Sequence, residues 1–307
     1  MSSLTVVRSG MLTTVQDLGR WGHQDSGVPV AGPMDPYSHR LANRLVGNPD
    51  DLATLEVTLI GPELKADGAV RCAVAGADFA VLVDGTPVVT TAAFEVAAGA
   101  RLRFGPRRAG ARTYLAVRGG FDVEPVFGSR ATSVISRMGP FDGRPLKAGD
   151  RLPVGYATGA ALPAGTPLRL PAGGARLRVL LGPHDGMFTA EAVETLLRAR
   201  FTVTPQSNRM GYRLDGEPLR HVDRADILSD ATPMGSLQVP SSGQPILLMA
   251  DRQTTGGYPK IATVITADFP LAGQLAPGDW IEFAGCARAD ALDALKRQEA
   301  RLSGAHS

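Results

Sequence analysis

Apolar residues in this chain come in short runs, many of them β-branched, broken every few residues by glycine or proline. The runs at 5–7, 69–75, 80–83, 101–104, 113–117, 177–181, 246–250, 261–266 and 280–283 each read as a strand. The run at 80–83 ends in Asp84-Gly85, a hairpin dipeptide. Three stretches share one form: Ala98-Gly-Ala-Arg-Leu-Arg-Phe104, Ala148-Gly-Asp-Arg-Leu-Pro-Val154 and Pro277-Gly-Asp-Trp-Ile-Glu-Phe283. Each is a glycine turn followed by alternating polar and apolar positions, a piece that closes barrels and sandwiches. Three copies predict more than one β unit.

Helical spacing is confined to three segments. Residues 35–46 place Leu41, Ala42, Leu45 and Val46 on one stripe and stop at Gly47-Asn48-Pro49. Residues 189–199 open on Thr189, a capping type, and carry Val193, Leu196 and Leu197 on one face. Residues 289–302 form a third, terminal amphipathic helix. The pattern predicts a mainly β chain with a few short helices. The Ala-, Gly- and Pro-rich stretch 156–175 has no period. It predicts an N-terminal β domain over 1–160, a linker over 161–175 and a C-terminal β domain over 176–307.

Composition narrows the function classes. The 307 residues are 44% hydrophobic, enough for a sizeable core. The 36 glycines and 23 prolines are spread along the chain, which argues against a disordered tract. A net charge of +2 gives no bulk argument for nucleic acid or membrane as a partner. The N-terminus lacks a secretory pattern and no apolar run is long enough for a membrane helix, so a cytoplasmic location is expected. Cys72 and Cys286 have no C-x-x-C spacing and are expected as buried free thiols. A P-loop, a G-x-G-x-x-G turn, an H-E-x-x-H pair and a biotin-carrying Met-Lys-Met are all absent from the sequence, and the five histidines are scattered, so no metal site is expected.

Four segments are denser in chemistry than turns require. Residues 16–36 hold Asp17, Arg20, His23, Gln24, Asp25 and Asp35 among glycines. Such a loop is either functional or a surface Ω-loop, and Asp35 is equally a helix cap. Arg118-Gly-Gly-Phe-Asp-Val123, with Gly128-Ser-Arg130 nearby, offers exposed amides for an anion, or a tight turn. Ser207–Arg213 carries Arg209 and Arg213, suited to a carboxylate or phosphate, or a solvated turn. The densest stretch is Asp251-Arg-Gln-Thr-Thr-Gly-Gly-Tyr-Pro-Lys260, between two strand-like runs and preceded by Gln238. A plain hairpin needs two to five turn residues. In this stretch Lys260 could neutralise a developing oxyanion and Asp251 could accept a proton. Thr254, Thr255 and the Gly256-Gly257 amides could hold a planar amide.

At these segments the chain resembles the family of 5-oxoprolinase C subunits, also described as allophanate hydrolase subunit 2 or the carboxyltransferase-like region of urea carboxylase. The pieces that carry the resemblance include QDLGRWGHQDSGVPVAGPMD, TYLAVRGGFDVEPVFGSRAT, SNRMGYRLDG and GSLQVPSSGQPILLMADRQTTGGYPKIATVI, and they run from residue 16 to about 283. The resemblance implies two β-barrel-like, cyclophilin-like units. It implies a 5-oxoprolinase complex with an A-like and a B-like subunit, in which ATP drives opening of 5-oxo-L-proline to L-glutamate. ATP would then be used at the level of the complex, with no biotin attached to this chain. Asp251, Lys260 and Arg209 would be catalytic. Gln238, Gln253, Thr254, Thr255, Gly256, Gly257, Tyr258, Asp25 and Asp35 would bind substrate. Two other roles occur among similar proteins: carboxyl transfer to urea or a related amide, and regulation through binding a B-like subunit that acts as a kinase inhibitor. The lack of a biotin-carrier region in the sequence favours the oxoprolinase role. One departure stands out: Ser133–Phe141, SVISRMGPF, replaces the glycine-rich loop expected after Gly128-Ser-Arg130.

Overall fold

The computed structural model describes residues 2–90, 92–156 and 162–305. The described chain is mainly β and falls into two compact units, residues 1–20, 31–170 and 299–307 forming one, and 21–30 with 171–298 the other.

The first unit is a curled nine-stranded sheet. Its strands are β1 (Ser3–Arg8), β2 (Leu12–Gln16), β3 (Thr54–Thr58), β4 (Glu63–Ala66), β5 (Val70–Val83), β6 (Thr86–Pro87), β7 (Phe94–Val96), β8 (Arg101–Val117) and β9 (Arg151–Pro153). The two long strands β5 and β8 pair antiparallel along most of their length and form its spine. Alternation divides β5 between two faces. Cys72 and Val74 join a core with Leu55, Leu102, Leu115 and Phe121. Ala73 and Ala75 turn the other way and pack with Tyr114 and Ala116 under helix α1 (Pro36–Leu45). Both faces are therefore buried there.

This explains where the strand pattern was incomplete. The runs at 69–75 and 80–83 are one strand, because the chain crosses Gly76–Asp78 by register shifts opposite β8 instead of turning. Strands β2 and β3 contain six buried polar residues, Thr13, Thr14, Gln16, Thr54, Glu56 and Thr58, and neither holds a run of consecutive apolar residues; β2 does not alternate at all, and β3 alternates with both faces buried. The hairpin at Asp84-Gly85 forms as its residues require, with φ of 45° and 83°.

The second unit is a closed seven-stranded barrel. Its strands are β10 (Gly174–Leu181), β11 (Arg200–Val203), β12 (Gly211–Asp215), β14 (Ser236–Gln238), β15 (Ile246–Leu248), β17 (Lys260–Val264) and β18 (Trp280–Gly285), in the order β10-β17-β14-β15-β12-β11-β18. A separate two-stranded ribbon joins β13 (Asp230–Ala231) to β16 (Thr255–Gly256). Helices α2 (Ala190–Arg198), α3 (Phe269–Gly273) and α4 (Arg288–Leu302) complete the unit, except that the last residues of α4 group with the first unit. Helix α2 starts where its capping residue dictates, with Thr189 accepting from the Ala192 N–H.

The three repeated stretches share one geometry. Gly99, Gly149 and Gly278 adopt φ of 83°, 91° and 92°, and a Cβ at any of them would meet nothing within 4 Å. The glycine is there for backbone conformation, not for room. In two copies the following aspartate closes the turn: Asp150 accepts from the Lys147 N–H and Asp279 from the Ala276 N–H, each at 2.8 Å.

The compact units are drawn differently from a division at a 161–175 linker, and two sets of contacts go with the difference. The Tyr37 hydroxyl donates to Thr166 O at 2.6 Å and Leu168 packs against the α1 cluster, so the described part of this stretch up to Leu170 is tied to the first unit. Residues 157–161 lie outside the described residues. At the C-terminus, Arg40 grips Glu299 with two bonds of 2.6 and 2.8 Å, which explains why residues 299–307 join the first unit. Cys72 is fully buried, whereas Cys286 is only partly so; both are free.

Candidate functional site

The stretch 251–260 is not the tip of a hairpin. Strands β15 and β17 flank it in sequence, but β14 lies between them in the barrel. The connection must pass the end of a strand, and its residues are held by specific contacts.

Its start is fixed to the segment before β12. The Asp251 N–H donates to Arg209 O at 2.8 Å. The same two residues close a side-chain fork: Arg209 Nε donates to Oδ2 and Nη2 to Oδ1, both at 3.0 Å. The side chains are 4% and 1% exposed. A buried, two-point guanidinium–carboxylate pair has high directional strength and a high cost of being broken. The next residue, Arg252, donates from Nε to Thr232 O at 2.7 Å. Burial lowers its pKa to about 10, partly offset by the Asp251 charge, so it stays cationic at neutral pH.

Its end is fixed by Lys260. Nζ donates to Asp230 Oδ2 at 2.6 Å and to Ala231 O at 2.8 Å. The hydrogen bond from Lys260, helped by the Ala231 N–H, holds the Asp230 carboxyl below the usual carboxylate range. The backbone N–H of Lys260 donates to Nδ1 of His184 at 3.3 Å. Burial and the Lys260 charge lower the His184 pKa, so the imidazole is neutral at neutral pH and carries its proton on Nε2.

Between these ends the β13–β16 ribbon lies against the barrel. Asp230 pairs with Gly256 and Ala231 with Thr255, and the Thr232 N–H donates to Thr254 O at 3.0 Å. The Thr232 hydroxyl donates to Gln253 O. At Gly256 a Cβ would lie 2.6 Å from Gln238 Nε2 and 3.2 Å from Gln253 Nε2. Only glycine lets the ribbon approach these two carboxamides so closely. Gln238 lies directly opposite Lys260 in the β14–β17 pairing.

Gln238, Gln253 and Tyr258 line a cleft of about 170 Å³ together with Gln206 and Asn208, over an apolar floor that includes Ile246 and Leu248. The wall is rich in carboxamides, which both donate and accept hydrogen bonds and so suit a planar amide. Arg209, Asp251 and Lys260 do not line this cleft; they hold the pieces that do. Thr254, Thr255 and Gly257 belong to the ribbon and its ends, where the Gly257 carbonyl accepts from the Ile227 N–H at 2.9 Å.

The two remaining residues are not among those that line the cleft. Asp25 is exposed in a single 3₁₀ turn, Gln24–Ser26, of the second unit. Asp35 is buried in the first unit as the N-cap of α1, accepting from Ser38 N at 2.9 Å and Ser38 Oγ at 2.6 Å. In two other dense segments the structure shows local bracing. Asp17 accepts from Gly19 N at 2.9 Å, Ser129 Oγ at 2.6 Å and Arg130 N at 2.5 Å. The Gly119 N–H donates to Asn48 Oδ1 and the Gly120 N–H to Val117 O, so that pair is a tight turn with its amides occupied.

Sequence reasoning missed His184, Asp230, Thr232 and Arg252 as partners of the site. A signal existed for His184, in the Gly-Pro-His-Asp that ends the strand run at 177–181. None existed for Asp230 or Thr232, which reach the site only through the ribbon pairing. Among the described residues no three His, Cys, Asp or Glu side chains come together to hold a metal ion, and no helix is long and apolar enough to cross a membrane.

Comparison with known proteins places this architecture. The chain is 41% identical over 298 residues to a protein of Escherichia coli K12 named as the C subunit of 5-oxoprolinase, covering 96% of this chain and 95% of that one. A Haemophilus influenzae protein of the same name is 35% identical over 292 residues, covering 94% and 93%. The crystal structure of Kluyveromyces lactis urea carboxylase superposes with a TM-score of 0.92 at 31% identity, covering 99% of this chain and 29% of that larger one. Residues 26–285 match the carboxyltransferase domain, subdomain A and B. With its curled sheet, its closed barrel and relatives matched along nearly their whole length, the chain belongs to the carboxyltransferase-domain family of subdomains A and B.

Proposed function

We propose that this chain is the C subunit of an ATP-dependent 5-oxoprolinase, which opens the lactam of 5-oxo-L-proline to L-glutamate together with A-like and B-like subunits in the cytoplasm. The observation that carries this reading is the 41% identity, over almost the full length of both chains, to the Escherichia coli protein of that name.

The cleft fits the chemistry. A lactam is planar, with one N–H and one carbonyl, and the Gln238 and Gln253 carboxamides can meet both. A lactam carbonyl is a poor electrophile, and phosphorylation of its oxygen would turn that oxygen into a leaving group. The cleft of about 170 Å³ is smaller than a nucleotide requires, so in this reading it takes the amide and not ATP, which is used at the level of the complex. Lys260, outside the cleft lining, spends two of its three N–H donors on Asp230 and Ala231 and so holds the ribbon that carries Gly256 against Gln238 and Gln253. Arg209 and Asp251, closed on each other, are positioning residues.

A second reading is carboxyl transfer to urea or a related amide, supported by the likeness to the Kluyveromyces lactis urea carboxylase structure. One experiment separates them. The chain is co-purified with the partner proteins encoded beside it, and glutamate release from 5-oxoproline is measured with and without ATP. ATP-dependent release supports the oxoprolinase. Biotin-dependent carboxylation of urea without glutamate release would replace it with the second reading.

A further inference from the structure

Seven non-glycine residues among those described adopt positive φ, and three of them, Arg137 (50°), Phe141 (55°) and Asp142 (57°), line one cavity of about 560 Å³ in the first unit. A left-handed conformation disfavours any residue with a Cβ, and such residues gather at ligand clamps. Phe141 and Asp142 are the two central residues of a tight turn in which the Gly143 N–H donates to Pro140 O at 3.2 Å. A turn with two positive-φ positions normally carries Asn-Gly or Gly-Gly. Here those positions instead supply an aromatic ring and a carboxylate to the cavity.

The loop is braced from behind. Arg144 forms a fork with Asp150 at 2.6 and 2.8 Å and lies over the Phe141 ring at 5.5 Å. A Cβ at Gly143 would fall 2.1 Å from the Arg137 carbonyl carbon, so the two turns are packed against each other.

The charges around the cavity sort into occupied and available. Arg151 is engaged by Ser3 at 2.8 Å and lies 3.6 Å from Asp67, and Asp122 pairs with Arg130 at 3.1 Å. Arg137, Glu124 and Asp142 line the same cavity and make no ion pair or side-chain hydrogen bond among the described residues. One guanidinium and two carboxylates without a hydrogen-bond partner among the described residues, Asp142 also feeling the charge of Arg144, lie beside the apolar surfaces of Phe141 and Met138 and form an amphoteric site.

We infer that this cavity binds a free α-amino acid with a large apolar side chain. The ligand carboxylate meets Arg137, its ammonium meets Glu124 and Asp142, and its side chain lies on Phe141 and Met138. This site is independent of the reaction proposed above.

Isothermal titration of the full chain with L-phenylalanine, L-methionine and L-leucine tests it. The controls are 2-phenylethylamine, which lacks the carboxylate, and 3-phenylpropanoate, which lacks the ammonium. At least one amino acid is expected to bind saturably at one site, and each control about tenfold or more weakly than L-phenylalanine. Arg137→Gly should reduce L-phenylalanine to the affinity of the amine. The double variant Glu124→Gln/Asp142→Asn should reduce it to that of the acid. Because glycine relieves the left-handed strain, Arg137→Gly should unfold at the same temperature as wild type or higher, which separates lost binding from lost folding. Absence of saturation by all three amino acids up to about 10 mM, controls that bind equally well, or variants that bind like wild type would overturn the assignment.

Discussion

Lys260 Nζ lies 2.6 Å from Asp230 Oδ2, with the lysine side chain 3% exposed and the aspartate 53% exposed. One residue sits in the barrel wall and the other on a two-stranded ribbon, so a single ion pair fastens the ribbon beside the cleft. Lys260→Ala is expected to lower glutamate release by the assembled complex about 100-fold, as misplacement of the cleft wall by a freed ribbon does, while size-exclusion chromatography shows unchanged assembly. Asp230→Ala keeps the ammonium but frees the ribbon. An equal loss in both variants would show that Lys260 acts only through the ribbon, and wild-type turnover in Lys260→Ala would remove it from the mechanism.

The Arg209–Asp251 fork gives a different kind of prediction. Removing one member leaves a buried charge without its partner, so Arg209→Met or Asp251→Leu alone should cost about 3–5 kcal/mol in denaturant unfolding. The double variant should cost clearly less than either single change, because neither charge remains. Additive losses would mean that the two side chains are not energetically coupled.

Gly256 separates stability from function. A methyl group there would press on the carboxamide ends of Gln238 and Gln253 and on Thr232 Cγ2 at 3.1 Å, so Gly256→Ala should cost about 1–3 kcal/mol. The displaced carboxamides are the ones that line the cleft. KM for the amide substrate should rise about tenfold, with a thermal midpoint only modestly below wild type. An unchanged KM would place the substrate elsewhere.

His39 sets an acid limb for stability. It is fully buried, with Nε2 donating to Asp50 O at 3.0 Å and Nδ1 hydrogen-bonded to the Thr54 hydroxyl at 2.9 Å. Burial lowers its pKa from 6.5 to about 4. The unfolded chain therefore takes up a proton that the folded one refuses, and stability is full above pH 6.5 and lost as pH falls toward 4. This one residue should account for about 3 kcal/mol across that range. In urea unfolding series, His39→Gln should flatten this slope between pH 6.5 and 4; a slope unchanged in the variant would assign it to other groups.

Local signals were legible where a residue acts on its own neighbours. Asp35 and Thr189 cap the helices that begin after them, Asp84-Gly85 makes its turn, and the three glycine turns each precede a strand. Strands with both faces buried were not legible, because polar residues in β2 and β3 find partners that the sequence does not bring near them: Gln16 Nε2 donates to Thr132 O, and Glu56 accepts from the Tyr114 hydroxyl. At the site, Gln238, Gln253 and Tyr258 share one cleft, whereas Asp35 serves as a cap in the other unit.

The sequence by itself determined the β character, the three helices, the family and the chemical density of residues 251–260. These depend on periodicity, on backbone preference at single positions and on the order of long matching segments. Only the tertiary structure decided that β14 separates β15 from β17, that Asp230 partners Lys260, and that Arg209 and Asp251 neutralise each other. Those facts join residues 30 and 42 positions apart. Strand order in a closed barrel is set by which edges can pair around the ring, a global constraint that local composition does not encode.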